Sequence, residues 1–173
     1  CCSDAIPESL LSNPEGKWQL HHTSIKPWPC CRNTHPAIDA ALEISLQLKG
    51  EVPESIELGV TQAALDVCDK PTPETLYDAN FSLQHSVSIA ILCGQVGFDS
   101  FESEARQQTS VLASRISLKL DEKIEDAYPE AWGAEVKVVL TNGKELSVRR
   151  KHAKGDPDAP LSPAEMREKA AML

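Results

Sequence analysis

A chain of 173 residues, 41% hydrophobic and 25% charged, has the length of one domain and enough apolar material for a core, which excludes wholesale disorder. Its net charge of −9 and the lack of a basic stripe exclude nucleic acid as a partner, because neutralising phosphates takes clustered cations. The longest apolar stretch, Val87 to Cys93, is too short to span a bilayer, so no membrane partner is expected and the protein reads as cytoplasmic.

Residues 1–16 hold Pro7, Pro14 and Gly16 around a short Ser9-Leu10-Leu11 segment and read as a linker or the tail of a preceding helix. The opening Cys1-Cys2, set in polar sequence, suggests a fragment. Lys17 to Leu20 reads as a short strand. Pro27 and Pro29 then hold Lys26-Pro27-Trp28-Pro29 extended, since proline fixes its own φ and pushes its predecessor out of the α region. A helix is expected from about 35 to 49, with Thr34 as N-cap, Pro36 in the first turn, Ile38, Leu42 and Leu46 at helical spacing, and Gly50 as the stop.

This arrangement gathers Lys26, Arg32 and His35 at one helix N-terminus. That end carries partial positive charge and free N–H groups, so the three side chains would make an anion cradle for carboxylate or phosphate. The plainer reading is two solvated cations and a histidine at a helix start.

Further along, Ser55 to Val60 alternates as a half-buried strand. Residues 63–68 suggest a helical turn, 69–78 a loop, and 79–94 a buried helix ending at Gly94. Gly94 and Gly97 permit a tight reversal, and Asp99 or Ser100 can cap the short helix after it. Residues 111–113 read as helical, 115–120 as a strand, and 121–127 as a short helix stopped by Tyr128-Pro129. Asn142-Gly143 between the alternating runs 134–140 and 144–150 is a strong hairpin signal. Ser162, Pro163 and Glu165 spell an N-cap, an N1 proline and a capping box, starting a terminal helix to about 172. Together these elements predict an α+β domain: a mostly antiparallel four-stranded sheet with helices packed on one side.

Six cysteines stand at 1, 2, 30, 31, 68 and 93. That is too sparse for a disulfide scaffold, and adjacent pairs are poor bridge partners, so they read as reduced thiols. No C-x2-C spacing supports a zinc or iron–sulfur site, and no metal is expected. The alternative is a metal held by His21, His22, His35 and the Cys30-Cys31 pair, which elemental analysis tests.

The stretch HTSIKPWPCCRNTHPAIDAALE, His22 to Glu43, resembles the opening motif of the C-terminal domain of the MmgE/PrpD family, whose best known member is 2-methylcitrate dehydratase of propionate metabolism. The resemblance continues through Gly94 to Phe101, through Tyr128-Pro129 and Trp132, and through the KGDPxxPLS run at Lys154 to Ser162. It covers roughly residues 16–170, so 1–16 are expected to precede the domain and 17–173 to form it.

The resemblance implies the C-terminal, substrate-covering part of a cofactor-free lyase acting on a small di- or tricarboxylate. A helical N-terminal domain would precede it in the same protein, and the full-length form would be a homodimer. Isomerase or epimerase and decarboxylase chemistry are the alternatives within the family. A non-catalytic binding or assembly module with a lapsed site is the alternative outside it. The implied catalytic role of Lys26 is to stabilise negative charge on the substrate, while Arg32 would hold a carboxylate in bidentate fashion and His35 would donate a hydrogen bond or orient Lys26. The family's FSLPY segment stands here as Phe81-Ser82-Leu83-Gln84-His85, with His85 in the place of a tyrosine that faces the cleft. His85 then keeps a proton-transfer role, marks different chemistry, or is a buried histidine bonded to a backbone carbonyl.

Overall fold

A computed structural model describes Glu8, Gly16 and residues 19–172. The expected linker, apart from Glu8 and Gly16, and Lys17 and Trp18 of the expected first strand lie outside the described residues. Gln19–His22 form a 3-10 turn, so the strand expectation fails there.

Helix α1 runs His35–Leu48 with Pro36 in its first turn. Thr34 does not cap it. Arg32–Thr34 already coil as a 3-10 turn, and the Thr34 hydroxyl donates backwards to the Cys31 carbonyl at 2.8 Å. The helix ends through left-handed Lys49 (φ 50) and Gly50 (φ 90), conformations that glycine adopts without steric cost. Its buried stripe also differs from the expected one: Ala37, Ile38, Ala40, Ala41, Ile44 and Leu48 are buried, whereas Leu46 is 80% exposed. Three alanines let α1 approach its neighbours closely, so the inward face follows small side chains as well as large ones.

Strands β1 (Pro53–Val60), β2 (Ile116–Leu120), β3 (Ala134–Leu140) and β4 (Glu145–Arg150) form one sheet in the order β2-β1-β3-β4. β3 and β4 are the expected hairpin, with Gly143 at φ 79 in its turn. β1 pairs antiparallel with β3 but parallel with β2, Ile56 facing Ile116. The sheet is therefore mixed, not mostly antiparallel. Between β1 and β2 the chain makes a long helical crossover, which returns it to the side it left and delivers β2 in the same direction.

That crossover holds α2 (Gln62–Cys68), α3 (Leu76–Asn80), α4 (Leu83–Cys93) and α5 (Ser103–Ala113). The single helix expected over 79–94 is two. The Ser82 hydroxyl accepts the His85 N–H at 3.0 Å and starts α4 anew, while α3 is launched by a Thr75–Asp78 capping box inside the expected loop. Helix α5 is far longer than the three residues expected, because only Thr109, Leu112 and Ala113 of its eleven residues are buried and its first two turns carry no apolar stripe. Two short helices complete the chain: α6 (Glu122–Glu125), capped by Asp121, and α7 (Pro163–Ala171), with the expected Ser162–Glu165 capping box.

Helix α1 lies against β3 and β4, α4 packs beside α1, and α5 beside α4. One continuous core joins Ile38, Ile44, Leu58, Val60, Leu83, Val87, Val136 and Val138. The other face of the sheet carries charge, with Glu57 bridging to Lys119 at 2.5 Å and Glu135 to Lys137 at 3.5 Å. Among the described residues no helix is long and apolar enough to cross a membrane.

Ile44→Ala empties a fully buried site and is expected to cost about 2–5 kcal/mol of stability, while Leu46→Ala stays within about 0.5 kcal/mol. Chemical denaturation of both variants checks which face of α1 is the inner one.

Candidate functional site

The turn before α1 is tied to a distant loop. The Arg32 guanidinium grips Asp156 with both arms, Nε to Oδ1 at 3.1 Å and Nη2 to Oδ2 at 2.6 Å. Asp156 is only 5% exposed and also accepts the Ser24 hydroxyl at 2.7 Å. The other side of the guanidinium lies 4.0 Å over the Trp132 ring, a cation–π contact. Next to Asp156, Gly155 sits at φ 92 and accepts the Ile25 N–H at 2.9 Å. A Cβ on Gly155 would come within 1.9 Å of the Ile25 carbonyl oxygen, so only glycine lets the two strands of backbone meet.

This clasp positions Lys26. Its side chain is exposed, and Nζ donates to the Cys30 carbonyl at 3.1 Å. An ammonium has three N–H donors, so two remain to face an incoming anion.

His35 lies one turn inside. It is 1% exposed, with its ring edge-on to Trp28 at 5.3 Å, and its Nε2 is buried without a hydrogen-bond partner. Burial first, then the Lys26 charge, push its pKa down to about 4, against a hydrogen bond to the Cys30 backbone and the Asp156 charge. His35 is therefore a neutral imidazole at pH 7.

The four expected site residues thus divide. Lys26 and His35 come together around the Cys30 carbonyl. Arg32 stands at the same turn, but its carboxylate-binding fork is filled by Asp156, a residue of this chain, instead of being held open. His85 lies elsewhere: it is 1% exposed, with Nδ1 2.8 Å from the Thr109 hydroxyl and Nε2 2.8 Å from the Ser100 carbonyl. A carbonyl only accepts, so Nε2 carries the proton. Burial lowers the His85 pKa, and the neutral ring then accepts from Thr109 at Nδ1. Both nitrogens are used within the domain.

Sequence reasoning passed over two residues here. Asp156 sits in the KGDPxxPLS run, quoted only as architecture, and its position after Gly155 was the signal for a buried carboxylate. Cys31 was read only as part of a cysteine pair. It is half-buried beside Lys26, and its thiol pKa is lowered, first by a hydrogen bond to the Cys68 thiol, then by Asn33 and the Lys26 charge, against burial. Its neighbour Cys30 is the opposite case, pushed up to about 12 by burial.

Among the described residues, no group of three or more His, Cys, Asp or Glu is arranged to hold a metal ion. A surface hollow of about 660 Å³ lined by Pro71, Glu74, Arg106 and Thr109, among others, contains none of Lys26, Arg32, His35 or His85. A family model, described as the MmgE/PrpD C-terminal domain, matches residues 28–173. No curated protein matches the chain.

Two expected outcomes follow from this geometry. Asp156→Ala leaves the Arg32 charge half-buried and unpaired and removes the anchor of residues 24–32, costing about 3 kcal/mol by denaturation. The depressed His35 pKa makes the unfolded chain bind more protons than the folded one between its ordinary value near 6.5 and about 4. Stability supplied by the neutral ring is therefore complete above pH 6.5 and declines as pH falls toward 4, by on the order of 3 kcal/mol. His35→Gln should flatten that part of a stability-against-pH curve.

Proposed function

Because the chain belongs to the MmgE/PrpD family, as its C-terminal domain, we propose that it is the substrate-covering part of a cofactor-free lyase for a small di- or tricarboxylate, with Lys26 as the charge that meets the substrate. The observation that carries this reading is the exposed Lys26 ammonium at the start of α1, steadied on the Cys30 carbonyl with two donors free.

The chemistry has one physical demand. Removing a proton or a carboxylate from a carbon beside a carboxylate builds negative charge, and a preorganised cation lowers that barrier. Lys26 supplies the cation. Neutral His35 supplies a polar imidazole beside it, and Arg32 acts as a positioning residue by clasping Asp156. Two features thus depart from the roles that the resemblance implies: Arg32 holds the protein's own carboxylate, and His85 is bonded away inside the domain.

The carbon base comes from outside this domain. A helical N-terminal domain of the same protein closes over the Lys26 face, the full-length form is a homodimer, and the setting is cytoplasmic. Dehydration of a 2-methylcitrate-like substrate is the first choice, with decarboxylation of cis-aconitate and epimerisation of iminodisuccinate as the other reactions to assay. The filled Arg32 fork favours a second reading, a binding or assembly module that keeps the fold without turnover.

Lys26→Ala in the complete protein is expected to lower kcat on its true carboxylate substrate by about 10²–10³-fold, the size of loss typical for one transition-state contact. Undiminished turnover removes Lys26 from the mechanism, and no turnover of any of these acids by the wild-type protein favours the second reading.

A further inference from the structure

Three thiols converge at the turn before α1, and they are not equivalent. Cys30 is 5% exposed, its sulfur 3.2 Å from the Thr34 hydroxyl. Cys68, the last residue of α2, is 0% exposed and belongs to the core. Cys31 lies between solvent and core: its side chain is half-buried, its backbone N–H is fixed on the Asn80 carbonyl at 2.8 Å, and its sulfur shares a hydrogen bond with the Cys68 thiol. The 3-10 turn that carries it packs directly on α2.

We propose that Cys31 and Cys68 are a redox pair, Cys31 the accessible thiolate that a hydroperoxide oxidises and Cys68 the buried thiol that resolves it into a disulfide. The arrangement supplies each requirement. The Cys68 hydrogen bond, Asn33 and the Lys26 charge all favour the Cys31 anion, which is the nucleophilic form. The same hydrogen bond and burial keep Cys68 protonated until it is needed. In the first step the Cys31 sulfur attacks a peroxide oxygen, an S–O bond forms, the O–O bond breaks, and the alkoxide or hydroxide leaves to take up a proton. In the second, the Cys68 sulfur displaces hydroxide from the Cys31 sulfenic acid, an S–S bond replaces S–O, and its thiol proton leaves with hydroxide as water. Two electrons pass from the two thiols to one peroxide. The bridge ties the turn before α1, which carries the Lys26-bearing loop, to the end of α2, and reduction by a thiol releases it. This inference does not rest on the lyase reading.

The test treats the reduced protein at pH 7 with one equivalent of hydrogen peroxide and maps the products by mass spectrometry, with fragmentation separating Cys31 from Cys30. The expected product has lost two hydrogens, holds a Cys31–Cys68 linkage, and reverts with dithiothreitol. Iodoacetamide should label Cys31 in the untreated protein about ten times faster than the exposed Cys93. Cys68→Ser is expected to stop at a dimedone-reactive sulfenic acid on Cys31. Labelling of Cys31 no faster than Cys93, or peroxide treatment that leaves Cys31 and Cys68 unlinked in the wild-type protein, would overturn the proposal without touching the carboxylate chemistry.

Discussion

The buried ion pair between Arg32 and Asp156 is the constraint on which the rest of this domain's front face depends. Two charges largely removed from water cost several kcal/mol each unless their geometry returns that energy. Here the return comes from a two-armed grip, the Ser24 hydroxyl on the same carboxylate and the Trp132 ring against the guanidinium. The pair joins residues 124 apart in sequence. It closes the loop bearing Lys26 onto the start of α1, and Gly155 lets that loop pass at backbone contact distance. A rigid, proline-stiffened segment can hold an ammonium in place only if its far end is also held, and Asp156 is that far anchor.

Much of the scaffold was legible because local signals and the fold agreed. The Asn142-Gly143 hairpin, the Ser162 capping box, the glycine stop after α1 and strand β1 all rest on short-range rules that tertiary packing had no reason to override. The misreadings have a common cause. Helix α5 buries only its last turns, so its sequence shows no stripe. The parallel placement of β2 depends on where a long crossover returns, which no local pattern encodes. The Thr34 cap gave way because the 3-10 turn before α1 already supplied the helical start.

The site was legible as a cluster of residue types but not as a set of pairings. Lys26, Arg32 and His35 do converge on one helix start, as spacing along the chain requires. What Arg32 binds is decided by a residue from the other end of the chain, and residue type alone does not say whether a guanidinium fork is open or filled. His85 teaches the same lesson: a histidine facing a threonine hydroxyl and a carbonyl across a helix pair looks identical, in sequence, to one facing a cleft. Cys31 was missed in the opposite direction, since its character comes from Cys68 on a neighbouring helix and from Lys26.

Amide hydrogen exchange in wild-type and Asp156→Ser protein tests the claim that this ion pair holds the Lys26 segment. The account predicts that the Ile25 amide, bonded to the Gly155 carbonyl, and its neighbours through Arg32 lose protection in the variant, while β1 and β3 exchange as before. Unchanged protection across residues 24–32 would contradict it.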